Sequence, residues 1–314
     1  MPTHKQLTHA LALLRHRSFT QAATESHLTQ SAFSRSISNL EKELGVVLFD
    51  RDGSTVSPTM YGETLLRRAE TIVADMDELE RDIGLLKGLD SGSLSVALGV
   101  YPAEISGSRA LGTMTLAHPK LDYRVSVGNW EQTLDKVLSK RADLGFVAIS
   151  SVDGDDRFAA IPVNEHEMVL YARKEHPLAG VASLSRNDLD QFPLVSIRVP
   201  RMLADAVPGK GRLDPQTGYL IPAVEVDDLG AARSLVASSN GFGPAVPIQI
   251  ERQLESGEFV LLDFQDLRLK PMFGFIMLKN RMVSPAAEVY MQHVFEIEQD
   301  LPVRTQELID KYRP

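Results

Sequence analysis

TQSAFSRSISNLEKEL, residues 29–44, decides how the rest of this chain is read. Its large apolar residues, Phe33, Ile37, Leu40 and Leu44, step by four, three and four, the spacing of one helical stripe turned toward a core. The opposite side holds Gln30, Ser31, Ser34, Arg35, Ser38 and Asn39, with no acid before Glu41. Such short or forked hydrogen-bonding groups, free of negative charge, suit base edges and phosphates. Thr29 is placed to cap the helix, so that the amides of its first turn face whatever anion the helix approaches. Taken alone, the stretch fits an ordinary amphipathic helix with a polar outer face equally well.

What precedes it narrows the choice. Residues 19–28, FTQAATESHL, read as a short helix whose Ala22 and Ala23 admit a close neighbour, and only a few residues separate it from the next helix. Two short helices joined by a tight turn form the helix-turn-helix signature, in which the second helix lies in the major groove. Residues 5–15 add a stripe of Leu7, Ala10, Leu11 and Leu14, expected to wall the same small domain. His4, His9, His16 and His27 lack metal-ligand spacing and are expected at the surface or at caps.

The run from residue 18 to residue 66 resembles the N-terminal domain of the LysR-type transcriptional regulators. The resemblance is carried by Ser18, Phe19, Ala22, Ala23, Leu28, Gln30, Ser31, Ala32, Ser34 and Arg35. Ile37, Leu40, Glu41, Leu44, Gly45, Leu48, Phe49, Arg51, Thr59 and Gly62 complete it. It implies a winged helix-turn-helix on double-stranded DNA, with Gln30, Ser31, Ser34, Arg35, Ser38 and the wing residue Arg51 as contacts. Gly45 is expected to stop the helix, and VVLF followed by Asp50-Arg51-Asp52-Gly53-Ser54 reads as the wing. Asp50, Asp52 and Ser54 leave that loop less basic than is usual in the family, and the lesser alternative for Arg51 is a structural partner for a neighbouring acid.

The whole chain is acidic, with a formal net charge of -9. Residues 1–60 contain six Lys and Arg against five acids, a charge of +1, so the remainder carries -10. The acids are concentrated away from the proposed reading head. A chain of 314 residues implies two or three domains. No apolar run long enough to cross a membrane and no signal-peptide pattern is found, so a cytoplasmic protein is expected. The absence of cysteine excludes disulfides, thiolate catalysis and cysteine-bound zinc.

After the wing, Leu65, Ala69, Ile72, Met76, Leu79, Ile83 and Leu86 alternate steps of four and three, a heptad seam. A helix lying on its own domain could show this seam. A narrow stripe between two domains is better explained by pairing with a second copy, which supplies the two-fold partner that paired half-sites require. Gly88, Ser91, Gly92 and Ser93 mark a boundary.

Beyond it, strands are expected at residues 94–98, 123–127 and 144–149, with helices at 105–118 and 130–140 between them. The rhythm resumes with a strand at 167–172, a helix at 184–191, a strand at 194–197, a helix at 228–239 and a strand at 259–262. A strand at 273–278 and a helix at 285–298 close it. Such alternation predicts an α/β fold with a parallel sheet. Gly92-Ser93-Leu94, Arg141-Ala142-Asp143-Leu144, His176-Pro177-Leu178-Ala179, Asp188-Leu189, Pro193-Leu194-Val195, Asn240-Gly241-Phe242-Gly243 and Pro247 extend the resemblance to the family's effector-binding domain. That domain is a pair of subdomains like those of periplasmic binding proteins. The expected division is a DNA-binding domain at 1–60, a linker helix at 61–90 and an effector domain at 91–300. Within the last, subdomain I comprises about 91–162 and 268–300, and subdomain II about 163–267; the tail 301–314 has no assigned role.

Ligands of such folds sit between subdomains, at strand C-termini and helix N-termini. The lining is therefore expected from residues 99–104, 128–130, 149–151, 196–199, 227–229 and 242–246. The candidates are Tyr101, Trp130, Ser150, Ser196, Arg198, Asp227 and Phe242. In the family, the first two loops often present Ser or Thr hydroxyls to a carboxylate; here Tyr101 and Trp130 stand in those places. The two aromatics could stack on a planar ring with Arg198 on an acidic group. Equally, Trp130 could simply pack at its helix start and Arg198 make an internal ion pair.

Residues 208–212, PGKGR, lack the hydroxyl and preceding strand of a phosphate loop, Gly241-Phe242-Gly243 is too short for a dinucleotide fingerprint, and no nucleophile elbow or HExxH helix is present. No cofactor, metal or catalytic residue is expected. The resemblance implies a regulator bound to promoter DNA, responsive to a small-molecule effector and assembled as a dimer of dimers, with RNA polymerase a further partner the family allows. The rival reading is a solute-binding or enzymatic α/β protein whose helical N-terminus only dimerises.

Overall fold

A computed structural model describes residues 1–50, 56–85 and 92–314. Arg51 and Leu86 lie outside the described residues, as do Gly88 and Ser91 of the expected boundary. The chain forms two compact units, one of Met1–Lys87 with Ser139–Arg141, the other of Gly88–Leu138 with Ala142–Pro314.

In the first unit, α1 (His4–His16) starts at a capping box in which the Thr3 hydroxyl and the Gln6 amide each take the other's backbone N–H. α2 (Phe19–Glu25) and α3 (Gln30–Leu44) follow. Two strands, β1 (Phe49–Asp50) and β2 (Ser57–Pro58), pair antiparallel before α4 (Met60–Leu85). Leu7, Ala10, Leu13, Ala22, Ala23, Phe33, Ile37, Leu40, Leu48 and Phe49 make one core. Its centre is Phe33, which meets the rings of His9 at 5.1 Å and Phe19 at 6.2 Å. His9 is therefore not a surface or capping histidine. It is buried, its Nδ1 lies 2.7 Å from the Ser36 hydroxyl, and burial, helped by nearby Lys5, holds its pKa below the usual value. Leu44, expected on the core stripe, is 37 % exposed at the end of α3.

The second unit has two lobes. Strands β3 (Gly92–Gly99), β4 (Leu121–Gly128) and β5 (Leu144–Ala148) run parallel, as the alternation predicted. β6 (Phe158–Glu165) was not foreseen, and it joins this sheet through the returning strand, residues 272–278, which lies antiparallel to both β5 and β6. The sheet is thus mixed rather than purely parallel. The helix after β3 passes through a π turn at Ala103–Gly107 before continuing as Ser108–Ala117.

The other lobe is built on β7 (Val169–Arg173), β8 (Val195–Ser196), β9 (Gly211–Leu213), β10 (Leu220–Pro222), β11 (Val224–Glu225), β12 (Phe242–Ala245) and β13 (Phe259–Leu261). β12 and β13 flank β7 antiparallel, and β8 pairs with β11 in parallel. β14 (Met272–Leu278) then returns to the first lobe. The chain crosses between lobes twice, side by side, with the His166 N–H donating to Pro271 O at 3.1 Å and the Met168 N–H to Leu269 O at 3.1 Å. The helix Pro285–Glu298 packs on the first lobe. The tail left unassigned from sequence forms a further helix, Leu301–Tyr312, with Ile309 and Tyr312 in the core of the second lobe.

Candidate nucleic-acid interface and effector cleft

The Thr29 hydroxyl accepts the Ala32 N–H at 3.3 Å, and Gly45 ends α3 at φ 69°, a left-handed conformation that costs glycine little. Burial of Phe33, Ile37 and Leu40 turns Gln30, Ser31, Arg35, Ser38 and Asn39 outward; Ser34 is half-buried. Arg35 has no ion-pair partner among the described residues. The first acid of the helix, Glu41, is turned away from this face, its Oε1 accepting the N–H groups of Leu48 at 2.9 Å and Phe49 at 3.3 Å. The Thr59 hydroxyl donates to Val47 O at 2.7 Å and accepts the Gly62 N–H at 3.1 Å, fixing the start of α4 against the strand entry. Gly62 is required there, because a Cβ would stand 2.1 Å from Leu48 O.

On α4, Leu66 and Ala69 belong to the core of the unit, whereas Ile72, Met76, Leu79 and Ile83 are 45, 43, 60 and 52 % exposed. The first part of the seam is intramolecular and the second is an uncovered apolar strip.

Between the lobes of the second unit lies a small cavity of about 90 Å³ that opens to solvent. Tyr101, Trp130, Ser150, Ser196 and Arg198 line it, as expected from sequence. Two candidates do not. Phe242 is wholly buried in the core, its ring occupying the space beside Gly209, and Pro244 of the same strand reaches the cavity instead. Asp227 lines a separate hollow with Glu104, Asp228 and Gln249. Position along the strand accounts for the first displacement: Phe242 and Pro244 share a face of β12, and only the later one reaches the cavity.

Pro102, Ile197 and Val199 line the cavity from the expected segments, but sequence reasoning missed the rest of the apolar wall: Val147, Met168, Leu203, Val207, Leu269, Pro271 and Phe273. Met168, Leu269 and Pro271 come from the paired crossovers, which no local motif marks.

 Tyr101 lies against Phe273 (centroids 6.4 Å apart, planes at 22°), and its hydroxyl meets that of Ser196. Burial, with Glu104 nearby, drives the Tyr101 phenol far above its ordinary pKa, so it stays a neutral wall of the cavity. Trp130, from the first lobe, meets Tyr219, from the second, edge to face at 5.6 Å. Arg198 directs Nε and a terminal nitrogen at one oxygen of Glu225, each at 3.0 Å. Of the two readings left open for this arginine, the internal ion pair is therefore present. A second link joins the lobes: Arg233 grips both Glu104 oxygens, at 2.7 and 2.9 Å.

Buried where the crossovers meet the first lobe, His166 Nε2 lies 2.9 Å from Glu298 Oε2, with both side chains almost fully enclosed. The Ser106 hydroxyl donates to the same carboxylate, and Asn164 donates to it at 3.2 Å and to the Glu298 carbonyl at 2.7 Å. Burial acts to raise the Glu298 pKa, and the bonds from His166, Ser106 and Asn164 outweigh it, leaving the carboxyl below its ordinary value.

Residues 4–63 match the lysR family of bacterial regulatory helix-turn-helix proteins, and residues 87–297 match the LysR substrate binding domain. The SDS degradation transcriptional activation protein of a Pseudomonas species is 31 % identical over 90 % of this chain and 92 % of its own length. The transcriptional regulator CfxR of Cupriavidus necator is 26 % identical over 94 % of this chain and 91 % of its own. Among solved structures, CbnR, a LysR family transcriptional regulator, superposes with a TM-score of 0.61 over 94 % of this chain and 99 % of its own at 18 % identity. A full-length OxyR variant from Pseudomonas aeruginosa gives 0.60 over 93 and 94 % at the same identity. With an exposed reading helix, an uncovered seam and a two-lobed sensor already on one chain, these matches make it a member of the LysR family of transcriptional regulators.

Proposed function

We propose that α3 enters the major groove of an operator, where Arg35 reads a base edge and Gln30, Ser31, Ser34 and Ser38 contact neighbouring bases and phosphates. Arg51 is proposed as the wing contact. The observation that carries this reading is the outward, acid-free face of α3, held in place by the burial of Phe33, Ile37 and Leu40 on the other side. The uncovered strip of Ile72, Met76, Leu79 and Ile83 supports pairing of α4 with a second copy, which sets two reading helices on one duplex. A dimer of dimers in the cytoplasm, without catalysis, is the proposed working form, with RNA polymerase a further partner at the promoter. The divisions at residues 60, 90 and 300 are proposed as functional boundaries.

An effector held between the lobes would shift the balance of their closure, and so the spacing of the reading heads, by its difference in affinity for the two states. The test is selection of bound fragments from genomic DNA, followed by gel shift with and without salt and with Arg35→Ala. A selected palindrome, binding that weakens steeply with salt, and a loss of about 1–3 kcal/mol of operator discrimination in the variant are expected. Unchanged discrimination by Arg35→Ala would remove the proposed reading residue.

A further inference from the structure

The cleft carries a chemical signature that narrows what can occupy it. Among the described lining residues, Arg198 has the only charge, and Glu225 already balances it. An incoming carboxylate therefore meets an arginine that is already paired.

One helix start at the cleft is already closed to an anion. The helix Trp130–Leu138 opens on Asn129, whose Oδ1 accepts the Gln132 N–H at 2.9 Å while Gln132 Oε1 accepts the Asn129 N–H at 3.1 Å. These reciprocal bonds satisfy amides that would otherwise be free for an anion at this helix start. Tyr101, the other residue standing where the family often presents a hydroxyl, has its phenol committed to Ser196 and its ring to Phe273. Transferring an ionised carboxylate out of water without new partners is strongly unfavourable, whereas an apolar surface gains from the same transfer.

On the reading that this cleft is the effector site, we infer that its effector is a neutral, predominantly hydrocarbon molecule with a single polar tip, and not a small carboxylate. The hydrocarbon part packs between Met168, Val199, Leu203 and Phe273. The tip meets the half-buried hydroxyls of Ser150 and Ser151, for which no protein hydrogen bond is formed among the described residues. Entry passes the Trp130–Tyr219 contact that spans the lobes.

Trp130 is the only tryptophan of the chain, so its emission reports this site without a label. The experiment titrates the full-length protein at neutral pH with straight-chain primary alcohols of increasing length, and with alkanoates of the same carbon number, below the concentrations at which they aggregate. Trp130 emission and operator affinity are read in parallel. Alcohol affinity is expected to rise about fourfold per added methylene until the cavity is full. Each alkanoate is expected to bind at least about tenfold more weakly than its alcohol. Ser150→Ala with Ser151→Ala is expected to weaken the alcohols several-fold with the chain-length slope intact. Equal or tighter binding by the alkanoates overturns the inference. A short polar acid that moves both Trp130 emission and operator affinity while alcohols are inert also overturns it, and leaves the cleft standing as the effector site. Failure of every compound class to move either signal overturns both readings.

Discussion

Replacing Glu298 with alanine tests the buried network beside the crossovers. The carboxylate is 2 % exposed and is shared by His166, Ser106 and Asn164. Its removal leaves His166 and Ser106 buried without this acceptor, while Asn164 keeps the Glu298 carbonyl. Leaving a buried polar group without its acceptor costs about 1–3 kcal/mol, so Glu298→Ala is expected to cost about 2–5 kcal/mol. Glu298→Gln keeps an acceptor for one of the donors and should cost less, about 1–3 kcal/mol. The linkage has a definite sign. A carboxyl whose folded pKa lies below its unfolded value of roughly 4.3 contributes stability above that value and loses it as the pH falls through the folded pKa. Urea unfolding of the second unit should therefore show wild type losing more stability than Glu298→Gln between neutral pH and the acid side of that window. Parallel pH profiles for the two proteins, or a Glu298→Ala midpoint equal to wild type at neutral pH, would refute the assignment of this network as a stabilising one.

Phe33→Ala should cost about 3–5 kcal/mol in the first unit, since a fully buried ring between His9 and Phe19 is lost and the helices around it cannot fully collapse; thermal unfolding measures it, and a loss under ~1 kcal/mol would deny Phe33 its place at the core centre. Gly62→Ala should lower the stability of the same unit by about 1–3 kcal/mol, because the added methyl would have to displace Leu48 O; an unchanged melting temperature would contradict the close approach. Leu79→Glu should weaken self-association in analytical ultracentrifugation while leaving helix content intact, because Leu79 is among the most exposed members of the strip on α4. A chain that associates as tightly as wild type would place the contact between copies elsewhere.

Local chemistry written in consecutive residues was readable before any coordinates. The caps at Thr29 and Gly45, the stripe of Phe33, Ile37 and Leu40, and the two parallel strand steps that open the second unit all follow from spacing and turn chemistry. So did five cleft residues, because each stands at the end of a predicted strand or the start of a helix. His9 was misplaced since an isolated histidine in a helix says nothing of whether a distant serine will meet it; its partner, Ser36, lies 27 residues away. Phe242 was misplaced because strand ends, not strand identities, decide which side chain clears the core.

From sequence alone came the amphipathic reading helix and the α/β alternation, properties of short-range periodicity that the backbone geometry imposes within a few residues, and the family resemblance, carried by individual matching residues. Tertiary structure alone decided that the sheet is mixed, that the terminal helix Leu301–Tyr312 packs on the second lobe, and that His166 and Glu298 meet beside the crossovers. It also decided that the cleft is walled by Met168, Leu269, Pro271 and Phe273. These depend on side chains brought together across a hundred or more residues or from separate crossings of the chain, where burial and the satisfaction of polar groups select the partner and no sequence period records the choice.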